Sequence, residues 1–144
     1  MSLNNPQALD DARQHAHQRT PQSAIESYQK IVEADPTDLN AINALGDLYA
    51  NDGRILDAVA LFSRVAAQYA EGGFTRKAIA TLKKIITIDP GNTETEIKIA
   101  DLYAHAGLPS EARQHYLQIA ETLTRKEQTT KRWASIARWS ISIR

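Results

Sequence analysis

Four histidines are the residues of this chain best equipped for metal binding or for proton transfer near neutral pH. His15 and His17 lie two apart, and on a helix that spacing turns them to opposite sides, because facing pairs sit three or four apart. His105 and His115 fall on successive segments with no cysteine and no carboxylate cluster beside them, so the convergent ligand set of a metal site is missing. No metal and no cofactor are expected. Serine and threonine fall at helix starts and on polar faces, without the Gly-x-Ser-x-Gly turn that exposes a nucleophile. Gly72-Gly73 lacks the lysine and the preceding strand of a phosphate loop and reads as a break between helices. With no cysteine in the chain, disulfides, thiolate metal sites and a cysteine nucleophile are excluded together. An enzyme is therefore not expected.

The elements that carry these residues are helical. Apolar residues recur three and four apart almost throughout, no run alternates at period two, and a 42% hydrophobic fraction is enough to bury a core. Asn5-Pro6 and Thr20-Pro21 each set a capping side chain before a proline, and Asp38 and Thr93 open two further helices. Gly53, Gly73 and Gly107 stand where helices must stop. The pattern predicts eight helices over 6–18, 21–34, 39–52, 54–71, 74–88, 93–106, 109–126 and 128–143. No stretch is apolar enough to span a membrane and the N-terminal residues lack the form of a secretory signal, so a soluble, cytoplasmic protein is expected.

The chain also repeats itself. "AIESYQKIVEADPTD" from Ala24 returns as "AIATLKKIITIDPGN" from Ala78, and "DLYANDG" from Asp47 returns as "DLYAHAG" from Asp101, both at an offset of 54 residues. Ala58 and Phe62 recur as Ala112 and Tyr116 at the same distance. This organises the chain as one domain over 1–144, with a partial unit 1–38, a unit 39–92 and a unit 93–144 whose residues 128–144 close the array as a capping helix.

Ile42, Leu45-Gly46, Tyr49, Ala58 and Phe62 follow the W-x2-L-G-x2-Y then A-x3-F spacing, and with them the chain resembles the tetratricopeptide repeat family along nearly its whole length. Ala24, Tyr28 and Pro36 match the second helix and closing proline of that repeat; Ala78, Leu82 and Pro90 do so again, and Ile99-Ala100, Tyr103, Ala112 and Tyr116 form a looser copy. The resemblance implies an all-α, right-handed solenoid of about eight antiparallel helices. Small residues at Gly46, Ala58, Ala100 and Ala112 should allow close approach, with Tyr49, Phe62, Tyr103 and Tyr116 filling the space between layers. The alanines at 24, 58, 78 and 112 are separated by 34, 20 and 34 residues against a family period of 34. The segment Leu56 to Glu71 is accordingly expected to serve two hairpins at once, giving a variant 54-residue unit of three helices.

By the same resemblance the function is that of a non-catalytic scaffold binding another protein or peptide on a concave surface. Once Ile42, Leu45, Gly46 and Tyr49 turn inward, the remaining face holds Asn43, Asp47, Ala50 and Asn51, and its equivalent holds Ile97, Asp101, Ala104 and His105 beside Lys98. The candidate contact residues are Asn43, Asp47, Asn51, Arg64, Lys98, Asp101 and His105. One subfamily grips chaperone C-termini with Lys, Arg and Asn on successive first helices; Leu9 and Arg13, Asn43 and Asp47, then Ile97 and Lys98 do not resemble that clamp.

Charge divides the other readings. The chain carries no net charge, but residues 1–60 hold four basic against nine acidic groups and 121–144 hold six against two. Self-association through complementary ends of the array is one alternative. The second is membrane or nucleic-acid binding through "KRWASIARWSISIR", where Arg132 stands in the place of Ala24 and Ala78 and Arg144 in that of Pro36 and Pro90. The tail's few basic residues make a small electrostatic footprint, so neither nucleic acid nor membrane is the expected partner. Trp133, Ile136, Trp139 and Ile143 are instead expected to form the apolar stripe of the capping helix.

Overall fold

The computed structural model describes residues 6–18 and 21–142, with side chains over 6–13 and 21–138. Asn5, Thr20, Ile143 and Arg144, and the side chains of His15, His17 and Trp139, lie outside the described residues. Among the described residues every regular element is an α-helix and there is no strand: α1 Pro6–Gln18, α2 Pro21–Ala34, α3 Leu39–Asn51, α4 Ile55–Glu71, α5 Thr75–Ile88, α6 Thr93–His105 and α7 Pro109–Ser142. None of these helices is long and apolar enough to cross a membrane. The chain divides at Pro90 and Gly91 into two compact units, α1 to α5 and α6 with α7.

Three of the connections share one device. Gly53, Gly73 and Gly107 adopt φ of 78°, 78° and 75°. Their N–H groups return to the carbonyls of Ala50, Ala70 and Ala104, and the N–H groups of Arg54, Phe74 and Leu108 reach Tyr49, Tyr69 and Tyr103 at 2.8, 2.8 and 3.0 Å. This double bond satisfies carbonyls left over at a helix end and needs a left-handed residue to close it. Gly73→Ala is therefore expected to cost about 1–2 kcal/mol in a urea melt. Gly72→Ala should cost less: Gly72 has φ of −77°, and its new Cβ would meet the edge of the exposed Phe74 ring at 3.0 Å and the Gln68 carbonyl at an ordinary 3.4 Å. Equal losses at the two sites would contradict this account of the turn.

The other connections are built by side chains. Asp38 caps α3 by accepting from the N–H groups of Asn40 and Ala41 at 3.0 Å each. Asp35 accepts from the Thr37 N–H and Oγ1 at 3.0 and 2.6 Å, contacts that hold its carboxyl below the usual range. At the next such turn Asn92, rather than Thr93, is the cap, accepting from the N–H of Thr95 at 3.1 Å.

In the first unit each helix packs on the next in sequence, and α4 packs on both α3 and α5. The reason is legible along its length. Ala58 and Phe62 complete the repeat opened by Ile42, while Phe62, Val65-Ala66 and Tyr69 restart the same spacing and run on to Ala78, Leu82 and Pro90. Ala58, Phe62, Val65 and Ala66 are all buried. One helix thus presents an apolar stripe broad enough for two neighbours, as expected of the segment 56–71. The core of this unit continues through Ile25, Ile42 and Ile85, all fully buried.

The second unit departs from expectation in three ways. Instead of separate helices over 109–126 and 128–143, α7 runs unbroken through 34 residues, so the described chain has seven helices rather than eight. At the 54-residue offset the turn Gly72-Gly73 corresponds to Lys126-Glu127. Two good helix formers replace the left-handed glycine, and nothing reverses the chain. Within the expected cap, residues 128–142 are accordingly the straight end of α7, and on it Trp133 is 67% and Ile136 47% exposed. Tyr116, aligned with the buried Phe62, is itself 41% exposed.

Candidate functional site

The polar face of α3 is organised by a residue from α5. Lys84 Nζ lies 2.5 Å from a carboxylate oxygen of Asp47 and donates to Asn43 Oδ1 at 3.0 Å. The same ammonium sits 4.3 Å from the centroid of the Phe62 ring on α4. One cation therefore ties three helices of the first unit: a carboxylate and an amide from α3 above an aromatic face from α4. The ring is fully buried while Lys84 and Asp47 stay partly open to water. In that setting the ion pair itself contributes up to about 1 kcal/mol. Its larger effect is to fix the orientation of three long side chains on an accessible face.

The first unit also holds an open depression of about 560 Å³ lined by Leu9 and Arg13 of α1, the loop residues Asp35, Thr37 and Asp38, Leu39 and Asn40 of α3, Tyr69 of α4 and Lys77 of α5. Its two carboxylates are already engaged by Thr37 and by the start of α3. Its cations are differently placed. Arg13 is exposed and reaches Asp10 only at 4.0 Å, and Lys77 lies 5.5 and 5.2 Å from the ring centroids of Tyr69 and Phe74. Those two rings meet edge to face with centroids 6.4 Å apart. The depression thus brings Leu9, Leu39 and the Tyr69 ring together with two cations, Arg13 and Lys77.

Of the sequence candidates in this unit, Asn43 and Asp47 are brought together by Lys84, and Asn51 lies exposed at the last turn of α3. Arg64 projects from α4 and donates through Nη2 to the carbonyl of Pro36, bracing the loop between α2 and α3. In the second unit Lys98 pairs with Glu94 one helical turn back at 2.7 Å, which holds the Glu94 carboxyl below its ordinary range. Asp101 accepts from the Tyr116 hydroxyl, a bond that raises the phenol's pKa. His105 Nδ1 contacts the carbonyl of Asp101 at 2.7 Å, and the ring of His115 stacks on Tyr103 at 5.2 Å. Among the described residues no group of three or more His, Asp or Glu is placed to hold a metal ion.

Sequence reasoning missed Lys84, Lys77 and the engagement of Arg13. The two lysines are seven apart on α5, one face by helical spacing. Nothing in the spacing said that this face meets Asn43 on a helix 41 residues earlier.

Helical hairpins closed by recurring tyrosine–glycine turns, with buried small residues at fixed distances after them, define a repeat protein built from paired helices. Residues 27–60 match the family model described as tetratricopeptide repeat. That segment carries the repeat's pattern, and among the described residues the fold is all-α. Two curated relatives match at low identity. The cellulose synthase operon protein C of Xanthomonas axonopodis pv. citri is 28% identical over 115 residues, covering 65% of this chain and 8% of that protein. Superkiller protein 3 of Schizosaccharomyces pombe is 25% identical over 119 residues, covering 73% of this chain and 9% of that protein. The chain thus spans less than a tenth of either relative's length. A crystal structure of MamA is similar at a TM-score of 0.47 and 25% identity, over 87% of this chain and 76% of that one.

Proposed function

We propose that this chain is a non-catalytic scaffold whose first unit binds a segment of another protein along the joined faces of α1, α3 and α5. The observation that carries the reading is the depression lined by Leu9, Arg13, Asn40, Tyr69 and Lys77, in the same unit as the Lys84 cluster. Its walls are helix faces held by a packed core and a loop braced by Arg64, so little conformational freedom is lost when a partner docks. Asn43, Asp47 and Asn51 remain contact candidates in this reading, joined by Arg13, Lys77 and Lys84. Arg64 acts by positioning the loop that forms one wall. Lys98, Asp101 and His105 form a separate candidate face on α6. Two cations beside Leu9, Leu39 and the Tyr69 ring favour a segment that carries a carboxylate next to an apolar side chain.

The test is quantitative affinity capture from native lysate by the wild-type chain and by Arg13→Glu/Lys77→Glu, with mass spectrometry of what is held. Both side chains are exposed, so the melting temperature should barely change. Specific partners should fall at least about tenfold, the equivalent of 1.4 kcal/mol. Identical capture by the two forms would refute the groove reading. Self-association, the second reading, is favoured by a different surface, the exposed apolar residues of α7.

A further inference from the structure

The internal repeat shows what α7 lacks. In the first unit the outer side of α4 is covered by α5, which buries Ile79 and Leu82 and leaves Ala66 only 3% exposed. At the 54-residue offset Ser63, Ala66 and Tyr69 of α4 become Leu117, Ala120 and Leu123 of α7, and Ile79 and Leu82 of α5 become Trp133 and Ile136. Leu117 is 60% and Leu123 47% exposed, and Leu117, Ala120, Glu121, Thr124, Arg125 and Gln128 line a shallow depression of about 420 Å³. Socket and plug are thus both present and both empty of each other. They lie on one straight helix because Lys126-Glu127 replaces the glycine turn.

Geometry selects how they can meet. Leu117 and Trp133, like Ala120 and Ile136, are sixteen residues apart, which at 100° per residue sets the two stripes about 160° apart around the helix. A single antiparallel partner touches only one side of a straight helix, so one second copy cannot satisfy both stripes at once. We propose that the chain self-associates head to tail through α7, the 129–142 segment of one copy lying in the 116–124 socket of the next. Such a contact is heterologous and open-ended, leaving a free socket at one end and a free plug at the other. The unbroken helix through Lys126-Glu127 keeps the tail from returning onto the socket of its own chain. The socket lining carries one acid, Glu121, and one base, Arg125, so the contact rests on its apolar residues more than on charge. A single helix-on-helix contact of this size belongs with weak interfaces, so assembly should be concentration-dependent.

The experiment is light scattering after size exclusion across a range of concentrations. The wild-type chain should grow past two protomers as concentration rises. Leu117→Glu/Ala120→Glu, which spoils the socket, and Trp133→Ser/Ile136→Ser, which spoils the plug, should each stay monomeric with unchanged helicity; the substituted residues are exposed, so folding is not at stake. An equimolar mixture of the two should form a 1:1 complex and stop there, since one sound socket and one sound plug remain. Lys126→Gly/Glu127→Gly restores the turn of Gly72-Gly73 and should convert the assembly to a monomer with blue-shifted tryptophan emission. A wild-type chain monomeric at every concentration would overturn the proposal. So would a wild type that stops at a dimer, or assembly that persists in both spoiled variants.

Discussion

Phe62→Ala is expected to remove about 3–5 kcal/mol from the stability of the first unit, out of the roughly 5–15 kcal/mol that holds a domain of ordinary size together. The ring is 1% exposed, and it is the residue at which two overlapping repeats meet. Its edge lies against Gly46 on α3, and its face is covered by the Lys84 ammonium from α5. Removing it opens a cavity between three helices whose axes are fixed by other contacts, so little collapse can fill the space. It also leaves Lys84 without its aromatic support, and the cluster with Asn43 and Asp47 should loosen with it. The control is Tyr116→Ala, the same repeat position in the second unit, where exposure limits the loss to about 1 kcal/mol. Urea unfolding of both variants checks the contrast. Equal losses would mean that α4 is not shared between two hairpins in the way described.

Gly46 should tolerate almost nothing larger. A Cβ placed on it would meet the Phe62 ring at 2.7, 3.0 and 3.1 Å, closer than side chains pack. Gly46→Ala sets two effects against each other. The helix interior gains about 1 kcal/mol when glycine is replaced by alanine, whereas overpacking a filled core costs about 1–3 kcal/mol. The ring is boxed in by Lys84 on its face and the α3 backbone at its edge, so overpacking should win, with a net loss of about 1–2 kcal/mol. Gly46→Leu, with three further carbons aimed at the same ring, should prevent α3 and α4 from docking. The mechanism is tested by pairing Gly46→Ala with Phe62→Leu: if the clash is the cause, the two substitutions should couple favourably by about 1 kcal/mol. Additive losses, or a stabilised Gly46→Ala, would show that the helices have slack at this point.

These positions mark the boundary between what was legible in the chain and what was not. The helix starts at Pro6 and Pro21, the cap at Asp38 and the stops at Gly53, Gly73 and Gly107 are local features, each decided by one residue's dihedral freedom or one side chain's reach. The 34, 20, 34 spacing of small residues likewise announced that one helix serves two hairpins, because a buried stripe leaves its period in the sequence. The continuous α7 was also written there, in the absence of a glycine at 127, though an apolar pattern resuming at Trp133 masked it.

The candidate site belongs to another kind of information. Asn43 and Asp47 could be named as a polar face left over from a buried one, which says only where they do not point. That Lys84 bridges them, that Lys77 and Arg13 border the same depression, and that Arg64 braces the loop at Pro36 depend on how far α1, α3 and α5 stand from one another. For α3 and α5 the spacing depends on the bulk of Phe62, which meets Gly46 on one helix and Lys84 on the other. Periodicity along a chain reports which side of a helix is covered. Only the packed core determines what stands across from it, because contacts between helices depend on the sum of many side-chain volumes and not on any single residue's preference.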